Sequence, residues 1–333
     1  MTYPIDAVIA VTYKCQARCT MCSIWQIKEH HDVPPDVYRK LPETLRDVNL
    51  SGGEPYLRKD LAEIVRVVHG HLPHARIVVS SNGFLGKALV PRALELREIF
   101  PKIGFGFSID GVGEKHDEIR GIPGGYEKTT SVVRALKQEG VKNIRIAYTL
   151  TTKNADHMIK VYELAKELGV QFTMSVSHDS EFYFGEHGST VMTGSARQLG
   201  SEKLRDDFTR IIKGELASSH WKRWGRAFGI YGMYRLVTDG EPLFYSRPGV
   251  DYFYLDPKGD VYPSVLHNYV MGNIVKDDFS TVWRSPMADG ARRKCDEETR
   301  PYWMGCMLRK AFLDHRFDIG MWVLQNKFLG LRI

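Results

Sequence analysis

Cysteine is scarce in this chain, with five among 333 residues. That scarcity argues against the disulfide framework of a small secreted domain and points to a reducing, cytoplasmic setting. Long apolar runs are missing as well: no stretch approaches the roughly 20 residues needed to cross a bilayer, so no transmembrane segment is expected. The early run from Ile5 to Thr12 is short, contains Asp6 and has no basic leader, so it reads as a strand and not as a signal peptide. Charge of one sign is not concentrated either. The 46 Lys and Arg exceed the 40 Asp and Glu by six and are spread without a basic tract, so nucleic acid is not indicated as a partner. A mild positive field suits an anionic substrate, and an ordinary solvated surface accounts for the same charge.

What is present is alternation. Strand-like segments at about residues 5–12, 46–51, 75–81, 103–109, 144–151 and 171–177 alternate with helix-like ones, among them 60–69, 129–139 and 155–168. Leu61, Ile64, Val65 and Val68 show the helical spacing plainly. Six such βα units predict an α/β fold, a partial (β/α)6 TIM-like barrel open on one side, with its functional loops at the C-terminal ends of the strands. The alternation stops near residue 180. A Gly-, Ser- and His-containing stretch over 181–200 reads as a loop, either a lid or a linker, and a helical region follows from Glu202 to Leu236. Three units are thus expected: a barrel core over 1–180, a loop and helical connector over 181–245, and a small α+β unit over 246–333. That last unit opens with a β-hairpin, Tyr252 to Leu255 and Val261 to Tyr262, around Asp256-Pro257-Lys258-Gly259-Asp260.

Three of the five cysteines crowd into one loop after the first strand: Cys15, Cys19 and Cys22. Thiolates hold iron–sulfur clusters, and three of them leave one iron of a four-iron cubane with an open coordination site. A structural zinc site wants four ligands, and His30 and His31 lie near enough to keep that alternative open.

The C-x3-C-x2-C loop resembles the radical S-adenosylmethionine (radical SAM) enzymes. Gly52-Gly53-Glu54-Pro55 after the second strand resembles that family's glycine-glycine-glutamate motif, which holds the amino group of SAM. By the same resemblance Ser81, Asn82, Ser108 and Asp110 at strand ends contact the ribose and methionine moieties. His116-Asp117-Glu118-Ile119-Arg120-Gly121 resembles a family segment whose arginine pairs with the methionine carboxylate, which implies that role for Arg120. Thr149 and Thr151, at the end of the fifth strand, are expected near the adenine. The family usually has an aromatic residue where Met21 stands here. The resemblance implies a [4Fe-4S] cluster, SAM, and a flavodoxin- or ferredoxin-type electron donor. In that family the reduced cluster would split the sulfonium of SAM, and the resulting 5′-deoxyadenosyl radical would take hydrogen from an unactivated carbon. Such chemistry asks the protein for orientation and shielding and not for an acid–base triad. His178 and Asp179, beyond the sixth strand, are the substrate-side candidates.

The C-terminal unit resembles the auxiliary-cluster domains called SPASM and twitch. Two positions where cysteine is expected are Ser246 and Ser264, while Cys295 and Cys306 match later ligand positions. Serine oxygen is a poor ligand for a soft iron–sulfur core. The expectation is a unit that keeps the architecture and has lost its cluster; Cys295 and Cys306 as plain buried thiols are the alternative. The apolar tail from Phe312 to Leu331 suits a helix docked on the barrel or one touching a membrane surface. The whole reads as a radical SAM enzyme acting on a small-molecule, sugar, nucleotide or lipid-linked precursor. A peptide maturase and a non-catalytic metal-binding scaffold are the alternatives.

Overall fold

The structure, a computed structural model, describes residues 2–178, 201–298, 301–305 and 308–330. Six strands alternate with helices through the first half: β1 (Asp6–Thr12), β2 (Asp47–Gly52), α1 (Leu61–His71), β3 (Arg76–Ser81), α2 (Leu89–Ile99), β4 (Gly104–Ser108), α3 (Glu114–Arg120), α4 (Gly125–Gln138), β5 (Ile144–Leu150), α5 (Met158–Glu167) and β6 (Gln171–Val176). Neighbouring strands pair in parallel throughout. All seven residues of β1 are buried, as expected of a central parallel strand covered on both faces. The apolar stripe of α1 packs Leu61, Ile64, Val65 and Val68 into the main core with Leu50, Ile77 and Val79 of the sheet.

The helical region expected in the connector is a pair of helices. α6 (Ser201–Leu216) and α7 (Trp221–Asp239) are separated at Ser218 and Ser219, and the His220 side chain caps α7 by accepting from the Lys222 amide. The stretch over 181–200 lies outside the described residues.

The hairpin does not stand apart from the barrel. β7 (Tyr252–Leu255) pairs in parallel with β1, and β8 (Asp260–Tyr262) and β9 (Gly272–Asn273) continue antiparallel, giving one nine-stranded sheet in the order β6-β5-β4-β3-β2-β1-β7-β8-β9. α8 (Phe279–Trp283) and α9 (Pro286–Glu297) follow, then α10 (Arg309–Asp314) and α11 (Arg316–Phe328). The fully buried Trp303 sits on α7 at Gly232, where a β-carbon would come within 2.3 Å of the indole, and its Nε1 donates to the Gly229 carbonyl. α11 docks through Trp322 and Val323 against α7, with Trp322 stacked on Tyr231, while Phe317, Met321, Leu324 and Phe328 remain exposed on its other face. No described helix is long and apolar enough to cross a membrane.

Candidate functional site

The loop bearing Cys15, Cys19 and Cys22 leaves β1 and is held from two sides. The Arg18 amide donates to the Arg120 carbonyl (3.0 Å) and the Thr20 amide to that of Ile119 (2.9 Å), at the C-terminal end of α3. Gly121 ends that helix at φ +65°, and a β-carbon there would lie 2.6 Å from the Arg18 carbonyl oxygen, so the close approach requires glycine. On the other side the Gly53 amide donates to the Thr12 carbonyl and the Glu54 amide to that of Lys14, both at 2.8 Å. A β-carbon on Gly52 would meet the Thr12 oxygen at 2.3 Å, and one on Gly53 the Lys14 oxygen at the same distance. The two glycines therefore let the loop after β2 close directly onto the cysteine loop.

Cys15, Cys19 and Cys22 line one cavity at the C-terminal ends of the strands. Gly52, Gly53, Ser81, Asn82, Ser108 and Arg120 line it too, with Thr149 and the buried His178. Arg120 Nη1 donates to Cys19 Sγ at 3.5 Å, and Asn82 Nδ2 to Cys15 Sγ at 3.8 Å. Burial pushes the Cys15 and Cys22 thiols up to about 12 and raises that of Cys19, against which Arg120 works. Ligation of a metal replaces those thiol protons, so burial here suits sulfurs that are coordinated.

Two residues expected at the cofactor are bonded to lining residues and are not themselves part of the cavity wall. Glu54 does not line the cavity: its fully buried carboxylate accepts from the Tyr56 amide (3.1 Å), the Asn82 amide (2.8 Å) and Ser81 Oγ (2.9 Å). Burial raises its pKa to about 7, and the three donors oppose that shift. Asp110, also fully buried, lies 2.5 Å from Arg120 Nε and accepts from the Thr149 amide. Burial works against ionisation of Asp110, while the guanidinium favours it; burial likewise opposes the charge on Arg120, but Asp110 and Cys19 outweigh it. The physical reason for both placements is the same. A buried carboxylate needs donors or a counter-charge, and protein groups supply them here: two amides and Ser81 for Glu54, the Thr149 amide and the Arg120 guanidinium for Asp110. Glu54 thus fixes Ser81 and Asn82, and Asp110 fixes Arg120. Burial lowers His116 to about 3, so it is neutral and accepts from the Asp110 amide through Nδ1.

Thr151 is bonded to Asn154 and stays out of the lining. Met21 packs in a small buried cluster with Phe84 and Ile119. His30 and His31 are not part of the cavity wall, and among the described residues no three His, Cys, Asp or Glu side chains converge on a single-ion site. Asp179 and Cys306 lie outside the described residues. Cys295 is buried, and burial pushes its thiol up to about 12. Sequence reasoning missed the part of the apolar lining contributed by Trp25, Val265 and Met304, which join Val8, Met21, Ile24 and Val176 there. The adjacency of Val265 to the singled-out Ser264 was the available signal.

Residues 9–165 match the family model of the Radical SAM superfamily, and residues 248–307 match one described as an iron–sulfur cluster-binding domain. The AdoMet-dependent heme synthase of Oleidesulfovibrio alaskensis is 31% identical over 304 residues, covering 82% of this chain and 73% of its own length. This chain belongs to the radical SAM superfamily. It is an enzyme of that type, and the family works with a [4Fe-4S] cluster and SAM. The sporulation killing factor maturation protein SkfB of Bacillus subtilis is 25% identical over 84% of this chain, which spans 64% of that relative. The crystal structure of Streptococcus suis SuiB bound to S-adenosylmethionine shares the fold, with a TM-score of 0.64 at 15% identity over 92% of this chain and 77% of that one.

Proposed function

We propose that Cys15, Cys19 and Cys22 hold the [4Fe-4S] cluster and that SAM binds beside it against Gly52, Gly53, Ser81, Asn82, Ser108 and Arg120. One observation carries this reading: the three thiols and those six residues line a single cavity. Bound together, cluster and SAM supply a carbon-centred radical strong enough to take hydrogen from an unactivated carbon. Everything else falls to the chain. Arg120, held charged by Asp110, is placed to pair with a carboxylate. Glu54 keeps Ser81 and Asn82 in place from behind. Trp25, Val265 and Met304 form an apolar wall that keeps water from the reacting carbon. His178 faces the substrate from the end of β6, with Asp179 next to it in sequence.

The substrate in this reading is a small molecule, sugar, nucleotide or lipid precursor in a biosynthetic pathway, consistent with an apolar wall facing one imidazole. A flavodoxin- or ferredoxin-type protein supplies the electron, and a reducing cytoplasm suits an oxygen-sensitive cluster. Similarity to the SkfB maturation protein supports a second reading, in which the substrate is a peptide. Anaerobic reconstitution tests the chemistry: the reduced protein forms 5′-deoxyadenosine from SAM. A colourless protein without that activity refutes the assignment. Deuterium-labelled metabolites and short peptides, each scored for transfer of label into 5′-deoxyadenosine, separate the two substrate classes.

A further inference from the structure

Where the resemblance to auxiliary-cluster domains places cysteines, the structure holds a chain of hydrogen bonds. Ser264 Oγ lies 2.6 Å from His267 Nδ1 and accepts from the Leu266 amide at 3.0 Å. His267 Nε2 lies 3.3 Å from Glu298 Oε2, and the Tyr269 hydroxyl donates to Glu298 Oε1 at 2.6 Å. A neutral imidazole gives every proton a direction: Leu266 N–H to Ser264, Ser264 O–H to Nδ1, Nε2–H to the carboxylate, Tyr269 O–H to the same carboxylate. Ser264 and His267 are only 2% and 3% exposed, so this is an interior network in which an unsatisfied member would be costly. The second serine is committed too. Ser246 Oγ lies 2.9 Å from the Tyr252 hydroxyl, and the Tyr302 hydroxyl donates to the Ser246 carbonyl at 3.4 Å. This set offers a cubane two oxygens already bonded to protein partners and the thiol of Cys295, and counting Cys306, which lies outside the described residues, raises the thiols to two, half of what a four-iron cluster needs. It does not fit a cluster.

The network touches two of the segments that build the apolar wall of the cavity, those of Val265 and Met304. Its Ser264–His267 turn carries Val265 and Leu266, and the edge of the His267 ring meets Tyr302 at 5.5 Å, two residues before Met304. Val265, Leu266 and Met304 share one buried cluster with Tyr13 and Ile24, against which Cys15 and Cys22 pack. We infer that the C-terminal unit of this chain holds no iron–sulfur cluster, and that the buried Ser264–His267–Glu298–Tyr269 chain takes the cluster's structural place. His267 is then a positioning residue that sets Val265 and Met304 against the SAM cavity. This inference rests on the reading of that cavity given above.

The test uses the full-length, anaerobically reconstituted enzyme, with SAM and a chemical reductant as probes. Iron analysis of the parent gives about four atoms per chain, and about eight would overturn the inference. In His267→Ala the iron content holds at about four while the KM for SAM in substrate-free cleavage rises about tenfold and kcat stays within about twofold, as expected of a displaced wall. Hydrogen exchange rises at residues 264–267 and 301–305 and not in β2 to β5. His267→Gln keeps an acceptor for Ser264 and a donor for Glu298, so it restores the KM to within about threefold of the parent. If His267→Ala fails to fold, the Gln variant decides: recovery supports the positioning role, and a loss as deep as that of an unrelated core disruption overturns it. An unchanged KM in His267→Ala also overturns it. Failure of the underlying cavity reading looks different, since the parent itself would then cleave no SAM.

Discussion

Replacing Asp110 by Asn leaves the Arg120 guanidinium inside the protein without its counter-charge. The pair is 2.5 Å apart, with the Asp110 side chain fully buried and that of Arg120 11% exposed. Removing one member of a buried ion pair costs about 3–5 kcal/mol, because the remaining charge stays desolvated. Asparagine has one oxygen where the carboxylate has two: with that oxygen kept on the Thr149 amide, its NH2 group faces the guanidinium, so a loss of at least about 3 kcal/mol applies. In urea unfolding of the cluster-loaded protein under anaerobic conditions, with m of about 3 kcal/mol/M, that loss moves the midpoint down by about 1 M. Asp239→Asn, which breaks the exposed Arg235 pair on α7, serves as control and costs less than about 0.5 kcal/mol. The double variant Asp110→Asn, Arg120→Gln loses less than the sum of the single losses by about 2 kcal/mol, because the second change removes the stranded charge. A midpoint shift below about 0.2 M for Asp110→Asn, or strictly additive losses, would refute the claim that Asp110 holds Arg120 at the cavity.

Three further outcomes are expected. Gly53→Ala places a β-carbon 2.3 Å from the Lys14 carbonyl oxygen, where both partners are backbone, so it destabilises by about 3 kcal/mol or more and lowers 5′-deoxyadenosine formation; a neutral variant would show that the two loops are not clamped. Cys19→Ala removes the sulfur to which Arg120 donates and abolishes SAM cleavage, which chromatography of the reaction mixture reports; full activity in that variant would remove the cysteine loop from the mechanism. Burial and the nearby Asp47 raise the Asp6 carboxyl from 3.8 to about 8 despite its 3.2 Å contact with Arg309, so the folded protein holds a proton that the unfolded chain has released across that window. Stability from this group is therefore complete at low pH and lost as pH climbs towards 8. Asp6→Asn gains at least about 1 kcal/mol relative to the parent between about pH 5 and pH 8, and equal slopes in chemical denaturation would contradict the assignment.

Much of this architecture is legible in the sequence because parallel strands buried on both faces leave dense apolar runs. β1 to β6 fall within a residue or so of the expected segments, and the cysteine loop, Gly52, Gly53, Ser81, Asn82, Ser108 and Arg120 meet at one cavity. Local pattern says nothing about pairing between distant segments, so the parallel contact of Tyr252–Leu255 with β1, which merges the hairpin into the barrel sheet, was not readable. Glu54 and Asp110 were expected at the cofactor, and residue type alone does not reveal which protein donors a buried carboxylate meets. Its direction depends on the donors that distant segments bring to it: Ser81 and Asn82 at the end of β3 for Glu54, and Arg120 of α3 for Asp110. His267 lies three residues after Ser264, a visible spacing, yet its partner Glu298 arrives only through α9. The absence of cysteine at positions 246 and 264 was plain; what replaced it required coordinates.

The central claim is that three buried sulfurs leave an iron open to SAM. Electron paramagnetic resonance of the reduced, reconstituted protein tests it most directly. Addition of SAM shifts the spectrum of the reduced cluster in the parent. A spectrum identical with and without SAM would contradict the account.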